Sequence, residues 1–227
     1  MKDDNGHKTL ESMSQAVWYN RWTLKQFKKF LMGDILEVGC GIGTFSKDLT
    51  RYGKVVGTDI DKQNLKQAKK VKNVKVGYGD IEMAKYFFNN RHFDTVVCLN
   101  VLEHIKNDNQ SLINIYKLLK TGGHLILLVP FHPDLYGEID KSIGHFRRYT
   151  KESLQRSLNS SGLKIVRIRV VNFLGGIGWF LAGRVLKNKI VGKNKIGIFN
   201  LIAPLVLPLE ELIEPPLGTS ILVIAKK

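Results

Sequence analysis

Short apolar runs, each followed by a mixed polar stretch, recur through the first two-thirds of the chain. Ile35-Leu36, Val55-Val56, Val96-Val97 and Leu125 to Val129 are the clearest. Runs of this length, rich in β-branched residues and bounded by Gly or Asp, predict buried strands at 35–38, 55–58, 74–77, 95–99 and 124–129. The stretches between them carry apolar positions at helical spacing and predict helices at 44–52, 61–71, 82–88 and 108–119, with Asp61 and Asp108 as N-caps. Strict alternation of this kind implies a doubly wound α/β fold: a parallel sheet with helices on both faces, entered by right-handed crossovers.

The pattern changes at both ends. Residues 9–31 read as a helical segment with Val17, Trp18, Trp22, Phe27 and Phe30 as apolar contacts, and residues 1–32 as an N-terminal lid on which Tyr19 and Asn20 can face a ligand. Packing of these aromatics on the sheet is the alternative. Thr150 predicts an N-cap for a helix at 151–161 that stops at Gly162, followed by a strand at 163–171 and a last strand at 219–225. The connection between these two strands, residues 172–217, is far longer than an ordinary loop. It is first glycine-rich and aromatic, then basic, then apolar on every side as far as Glu210. Arg184 interrupts its first half, and Pro204 and Pro208 break its second, so neither half makes a convincing membrane span. A helical substrate cap, a homodimer interface and a peripheral contact with an anionic membrane remain the readings.

Charge and cysteine content narrow the setting. The net charge of +15 fits a nucleic acid, an anionic membrane or an acidic substrate, yet lysines such as Lys62, Lys66 and Lys69 fall on the outward face of a helix. Cys40 and Cys98 sit in buried-type sequence, with neither a disulfide framework nor a metal site expected. The polar amino terminus predicts no signal peptide, so a cytoplasmic location follows, with membrane association as an addition.

The candidate chemistry starts at Glu37-Val-Gly39-Cys-Gly41-Ile-Gly43. Glycines after a strand let a ligand approach the backbone closely, and the first amides of a following helix suit a carboxylate or phosphate. Asp59, at the end of the second strand, can accept two hydrogen bonds from a ribose diol. A dinucleotide fingerprint would want a small residue where Thr44 stands.

These residues, together with Gly79-Asp80 after the third strand, FDTVVCLNVLEHI on the fourth and LLKTGGHLILLVP on the fifth, resemble class I S-adenosylmethionine-dependent methyltransferases. The resemblance covers most of the first two-thirds of the chain. It implies a Rossmann-like seven-stranded sheet, six strands parallel and the last antiparallel, formed by residues 33–171 and 218–227. It also implies that Gly39, Cys40, Gly41 and Gly43 shape the methionine end of an S-adenosylmethionine site and that Glu37 holds the amino group. Asp59 with Ile60 would meet the ribose, Asp80 with Ile81 the adenine, and Asn100 with Val101 the sulfonium.

The acceptor is less legible. His132, Asp134, Tyr136, Asp140 and His145 cluster after the fifth strand, and His145 is the first choice for a proton acceptor, with His132 and Tyr136 beside it. His104 is a weaker choice. Arg147, Arg148 and Asp140 are candidates for substrate contacts, although the arginines can equally pair with nearby carboxylates or helix carbonyls. Gly144 to Thr150, GHFRRYT, resembles a segment recurring in a methyltransferase subgroup with unassigned or lipid- and glycan-related substrates. A small-molecule or lipid-linked acceptor is therefore expected. RNA methylation is the enzymatic alternative, disfavoured by L-N-V-L in place of an N-P-P-Y-like run, and a non-catalytic cofactor-binding regulator is the alternative of another class.

Overall fold

The structure is a computed structural model that describes residues 2–173, 193–212 and 218–227. Its centre is an eight-stranded sheet in the order β4-β3-β2-β1-β5-β6-β8-β7. The strands are β1 (Asp34–Val38), β2 (Lys54–Asp59), β3 (Val74–Asp80), β4 (Lys85–Tyr86), β5 (Phe93–Leu99), β6 (Leu119–Pro130), β7 (Lys164–Val171) and β8 (Ser220–Lys226). β3, β2, β1, β5 and β6 pair in parallel, and β8 runs antiparallel between β6 and β7. The expected seven strands are present with the expected directions.

Alternation along the central strands sends side chains to two cores. Leu125, Leu127 and Val129 of β6 join Leu112 and Ile115 of α5 (Asp108–Leu118) and Leu154 and Leu158 of α7 (Lys151–Ser160). Ile126 and Leu128 face the other way, toward Trp22, Leu24 and Phe27 of α2 (Val17–Phe27) and Ala203 and Leu207 of α8 (Lys193–Leu212). Both faces are buried, which is why these strands read as continuous apolar runs.

Several elements differ from expectation. Residues 82–88 form a turn and the two-residue β4, paired antiparallel to β3, instead of a helix. Ala84 there has φ 53°, a left-handed backbone that no helix accommodates. The helix after the glycine loop, α3, is only Ser46–Leu49. Asn107, not Asp108, caps α5, its side chain accepting from the Gln110 amide at 3.1 Å. Thr150 and Asp61 cap α7 and α4 (Lys62–Ala68) as expected. The N-terminal segment is two helices, α1 (Lys2–Ser14) and α2, and a further short helix, α6 (Glu138–Ile143), follows β6.

α8 runs through Pro204 and Pro208. Each removes a backbone donor, at a cost near 3 kcal/mol, and the burial of Ala203 and Leu207 against α2 offsets it. The Glu210 carboxylate accepts from the amides of Asn172 and Phe173, at 2.7 and 2.9 Å, and ties the end of α8 to the exit of β7. Arg184, Lys187 and Lys189 of the basic run lie outside the described residues. Among the described residues no helix is long and apolar enough to cross a membrane.

Candidate active site

The parallel strands β1, β2, β3, β5 and β6 all end at one edge of the sheet, the edge at which doubly wound folds bind ligands. β1 ends in the glycine loop. Gly39, Gly41 and Gly43 take φ of 67°, 54° and 87°. A Cβ on Gly39 would stand 2.3 Å from Cγ2 of Val101, so this backbone position excludes any side chain.

Asp59 closes the loop from the next strand. Its Oδ2 accepts from the Gly41 amide and its Oδ1 from the Asp61 amide, both at 2.8 Å. Burial raises its pKa, while these backbone hydrogen bonds pull the other way. Ile60, two-thirds exposed, projects at the rim. Glu37 is buried below the loop, where its carboxylate accepts from the Ser46 hydroxyl. Burial pushes its pKa up to about 7, and the nearby Asp59 charge adds to the rise. Cys40 is buried as well, its thiol pKa raised by the same desolvation, and its amide bonds to the Thr58 carbonyl.

The neighbouring strands complete the edge. Asp80 accepts from the Met83 amide, and Ile81 packs its side chain into the core, so only its backbone faces the site edge. Asn114 of α5 donates to the carbonyls of Ile81 and Glu82, at 2.8 and 3.1 Å, and pins this loop from behind. Asn100 sits at φ 53° with its amide on the Leu128 carbonyl. An asparagine tolerates that conformation better than most residues.

α1 packs against the glycine loop. Leu10 lies over Gly41, where a Cβ would meet its Cδ2 at 3.1 Å, and His7 Nε2 stands 3.1 Å from Oδ2 of Asp61. Tyr19 does not face the loop. It is buried among Trp22, α8 and β8, and burial pushes its pKa up to about 12. The expected lid, residues 1–32, includes α1, but the residues named on it, Tyr19 and Asn20, lie in α2, and the sequence does not single out His7 and Leu10 because they form no long apolar stripe.

On the acceptor side, GHFRRYT is a fastening. Arg148 gives its Nε to Oδ1 of Asp140 at 2.9 Å and an Nη to Oδ2 at 3.1 Å, with the other Nη on the Phe131 carbonyl. Asp140 also accepts from the Gly137 amide and bonds Nδ1 of His145 at 2.8 Å. Burial alone would raise its pKa, but the His145 hydrogen bond and the Arg148 charge bring it below the ordinary value. Both groups pair with each other in this structure, the alternative that the sequence reading left open for the arginines. Arg147 pairs with Asp108 at 2.7 Å and with the Lys106 carbonyl at 2.8 Å. The Tyr136 hydroxyl donates to the His145 carbonyl at 2.7 Å. His132, at φ 60°, keeps a buried Nε2 with no hydrogen-bond partner among the described residues, and burial lowers its pKa.

A glycine cradle, a buried acid without a protein counter-charge among the described ion pairs and a carboxylate at the next strand fit a ligand with an ammonium and a ribose diol. Comparison with known proteins agrees. Residues 36–127 match the family model described as methyltransferase domain. These residues form a methyltransferase domain, and the S-adenosylmethionine-dependent methyltransferases among the solved structures that share its fold agree with the cofactor read from the site.

The chain is 33% identical over 157 residues to an uncharacterized protein of Methanocaldococcus jannaschii, covering 68% of this chain and 65% of that one. It is 34% identical over 100 residues to the ubiquinone biosynthesis O-methyltransferase of Rickettsia bellii, covering 41% and 40%. The Dictyostelium discoideum mitochondrial protein of the same name is 29% identical over 109 residues, covering 41% and 34%. The chain thus spans about a third to two-thirds of these relatives' length. An S-adenosylmethionine-dependent methyltransferase of Thermotoga maritima shares the fold, with a TM-score of 0.66 at 18% identity over 94% of this chain and 91% of that one.

Proposed function

We propose that the protein transfers the methyl group of S-adenosylmethionine to an oxygen of a small-molecule or lipid-linked acceptor. The observation that carries this reading is the convergence of Gly39, Gly41, Asp59, Asp80 and Asn100 at one sheet edge, directly beside the acceptor loop 131–149. The cofactor supplies an activated methyl on a good leaving group. What remains for the protein is to align the acceptor, exclude water and take up a proton.

Glu37 holds the cofactor's ammonium, Asp59 its ribose, and the loop beginning at Asp80 and Ile81 its base. His132 is the better proton acceptor on the acceptor loop, because burial keeps its ring neutral and its Nε2 is unspent. His145 faces a carboxylate with each ring nitrogen and is held in place. Oxygen as the acceptor atom is favoured by the relatives named as ubiquinone biosynthesis O-methyltransferases. A lipid-linked acceptor, with peripheral contact to an anionic membrane, is favoured by Leu201, Leu205 and Leu209, exposed at 77%, 75% and 61% along one row of α8.

Calorimetry should show micromolar binding of S-adenosylhomocysteine and none of NAD. The acceptor would then be sought by incubating the protein and labelled cofactor with lipid and aqueous extracts. Binding without any labelled product would leave a regulator, and label confined to RNA would replace the acceptor class.

A further inference from the structure

Directly beside the acceptor loop, a fully buried carboxylate stands without a hydrogen-bond partner. Glu103 lies on the single turn Leu102–His104 after β5, its side chain 1% exposed, and neither of its oxygens has a hydrogen-bond partner among the described residues. Nε2 of His145 stands 3.8 Å from Oε1, beyond hydrogen-bond reach. Buried charges are normally paired or bind a cation, so this arrangement calls for an occupant.

The surroundings have the form of a metal site. One donor atom from each of Glu103, His104 and His145 lies within 4.8 Å of the others. The two imidazoles meet edge to face, with centroids 4.6 Å apart. Asp140 accepts at Nδ1 of His145 over 2.8 Å and is itself fixed by Arg148. That hydrogen bond sets the tautomer, leaving the Nε2 lone pair aimed toward Glu103. A carboxylate behind a histidine in this way is the usual outer shell of a ligating imidazole. Neutral Nε2 and the ionised form of Glu103 would both be acceptors, so a cation or a proton has to lie between them.

We propose that Glu103, His104 and His145 bind one divalent transition-metal ion, such as Zn²⁺ or Co²⁺, at the acceptor edge of the site. Two imidazoles and one carboxylate suit these ions better than Mg²⁺ or Ca²⁺. Filled sites bring such donors to about 2.0–2.2 Å from the ion. The exposed His104 closes the set by a side-chain rotation. Three protein ligands leave positions for water or an acceptor oxygen. The site departs from the sequence reading, which expected no metal, because Glu103 and His104 sit 41 residues or more from His145.

The test needs no methyl acceptor. Chelator-treated protein is titrated with Co²⁺, following the visible d–d absorption and bound metal after desalting. One equivalent is expected, with Asp140→Asn weakening it about 10–100-fold. Glu103→Gln and His145→Gln should abolish the band while each retains S-adenosylhomocysteine binding, which shows that it is folded. Should His145→Gln fail to fold, Glu103→Gln and His104→Gln decide the matter. Absence of stoichiometric Co²⁺ binding, or equal binding by wild type and Glu103→Gln, would overturn the proposal and leave a proton between Glu103 and His145. Either result is independent of whether methyl transfer is found.

Discussion

The Gly41 amide donates to Oδ2 of Asp59 over 2.8 Å, so the residue proposed to hold the ribose also holds the glycine loop in place. Cofactor affinity and loop geometry therefore depend on one carboxylate. Asp59→Asn keeps an acceptor for one amide, whereas Asp59→Ala leaves the Gly41 and Asp61 amides without it. Hydrogen bonds to a charged group are worth about 1.5–3 kcal/mol. Calorimetry should show S-adenosylhomocysteine binding weakened by roughly 10–100-fold in Asp59→Ala. A smaller loss is expected in Asp59→Asn, and unchanged affinity in both would remove Asp59 from the site.

Glu37 sets a pH dependence whose sign follows from its raised pKa. Its folded value, about 7, exceeds the reference of 4.5, so its protonated form favours folding and that contribution is lost between those limits as pH rises. At pH 8 the ionised, buried carboxylate opposes folding by an amount on the order of 3 kcal/mol. Glu37→Gln should thus raise the melting temperature of the ligand-free protein at pH 8 and have little effect at pH 4.5. The same substitution should weaken cofactor binding, because the ammonium loses its counter-charge. Calorimetry in buffers of different ionisation enthalpy should report proton release on binding at pH 6 in wild type only.

α1 closes the glycine loop through two side chains, Leu10 on Gly41 and His7 on Asp61. Leu10→Asp places a charge against the loop and should open this contact. Stopped-flow measurements are expected to show S-adenosylhomocysteine leaving several-fold faster with little change in melting temperature. An unchanged off-rate would show that α1 does not gate the site.

The two adjacent arginines should behave differently. Arg148→Ala strands Asp140 in the interior and should cost about 3–5 kcal/mol in a denaturant titration. Arg147, 30% exposed in its ion pair, should cost roughly 1 kcal/mol or less on the same substitution. Equal costs would contradict the internal role assigned to Arg148.

Much of this site is visible before any coordinates. The glycines, Glu37, Asp59 and Asp80 lie within a turn or so of a strand end, and the strand pattern alone places those ends together. The parts that escape are those in which a short element or a distant partner decides. Residues 82–88 carry helical spacing, yet Ala84 in the left-handed region and pairing to β3 make them turn and strand. Arg147 and Arg148 look identical as letters. Only the fold gives one Asp108 and the other Asp140.

Sequence by itself determined the alternating α/β core, the cofactor loop and the edge on which it opens, because burial on both faces writes a strand as a continuous apolar run and a tight turn requires glycine. Tertiary structure decided which helix covers the loop, which histidine keeps an unspent nitrogen and where Glu103 is left without a partner. Those depend on distances between residues far apart in the chain, which no local pattern encodes.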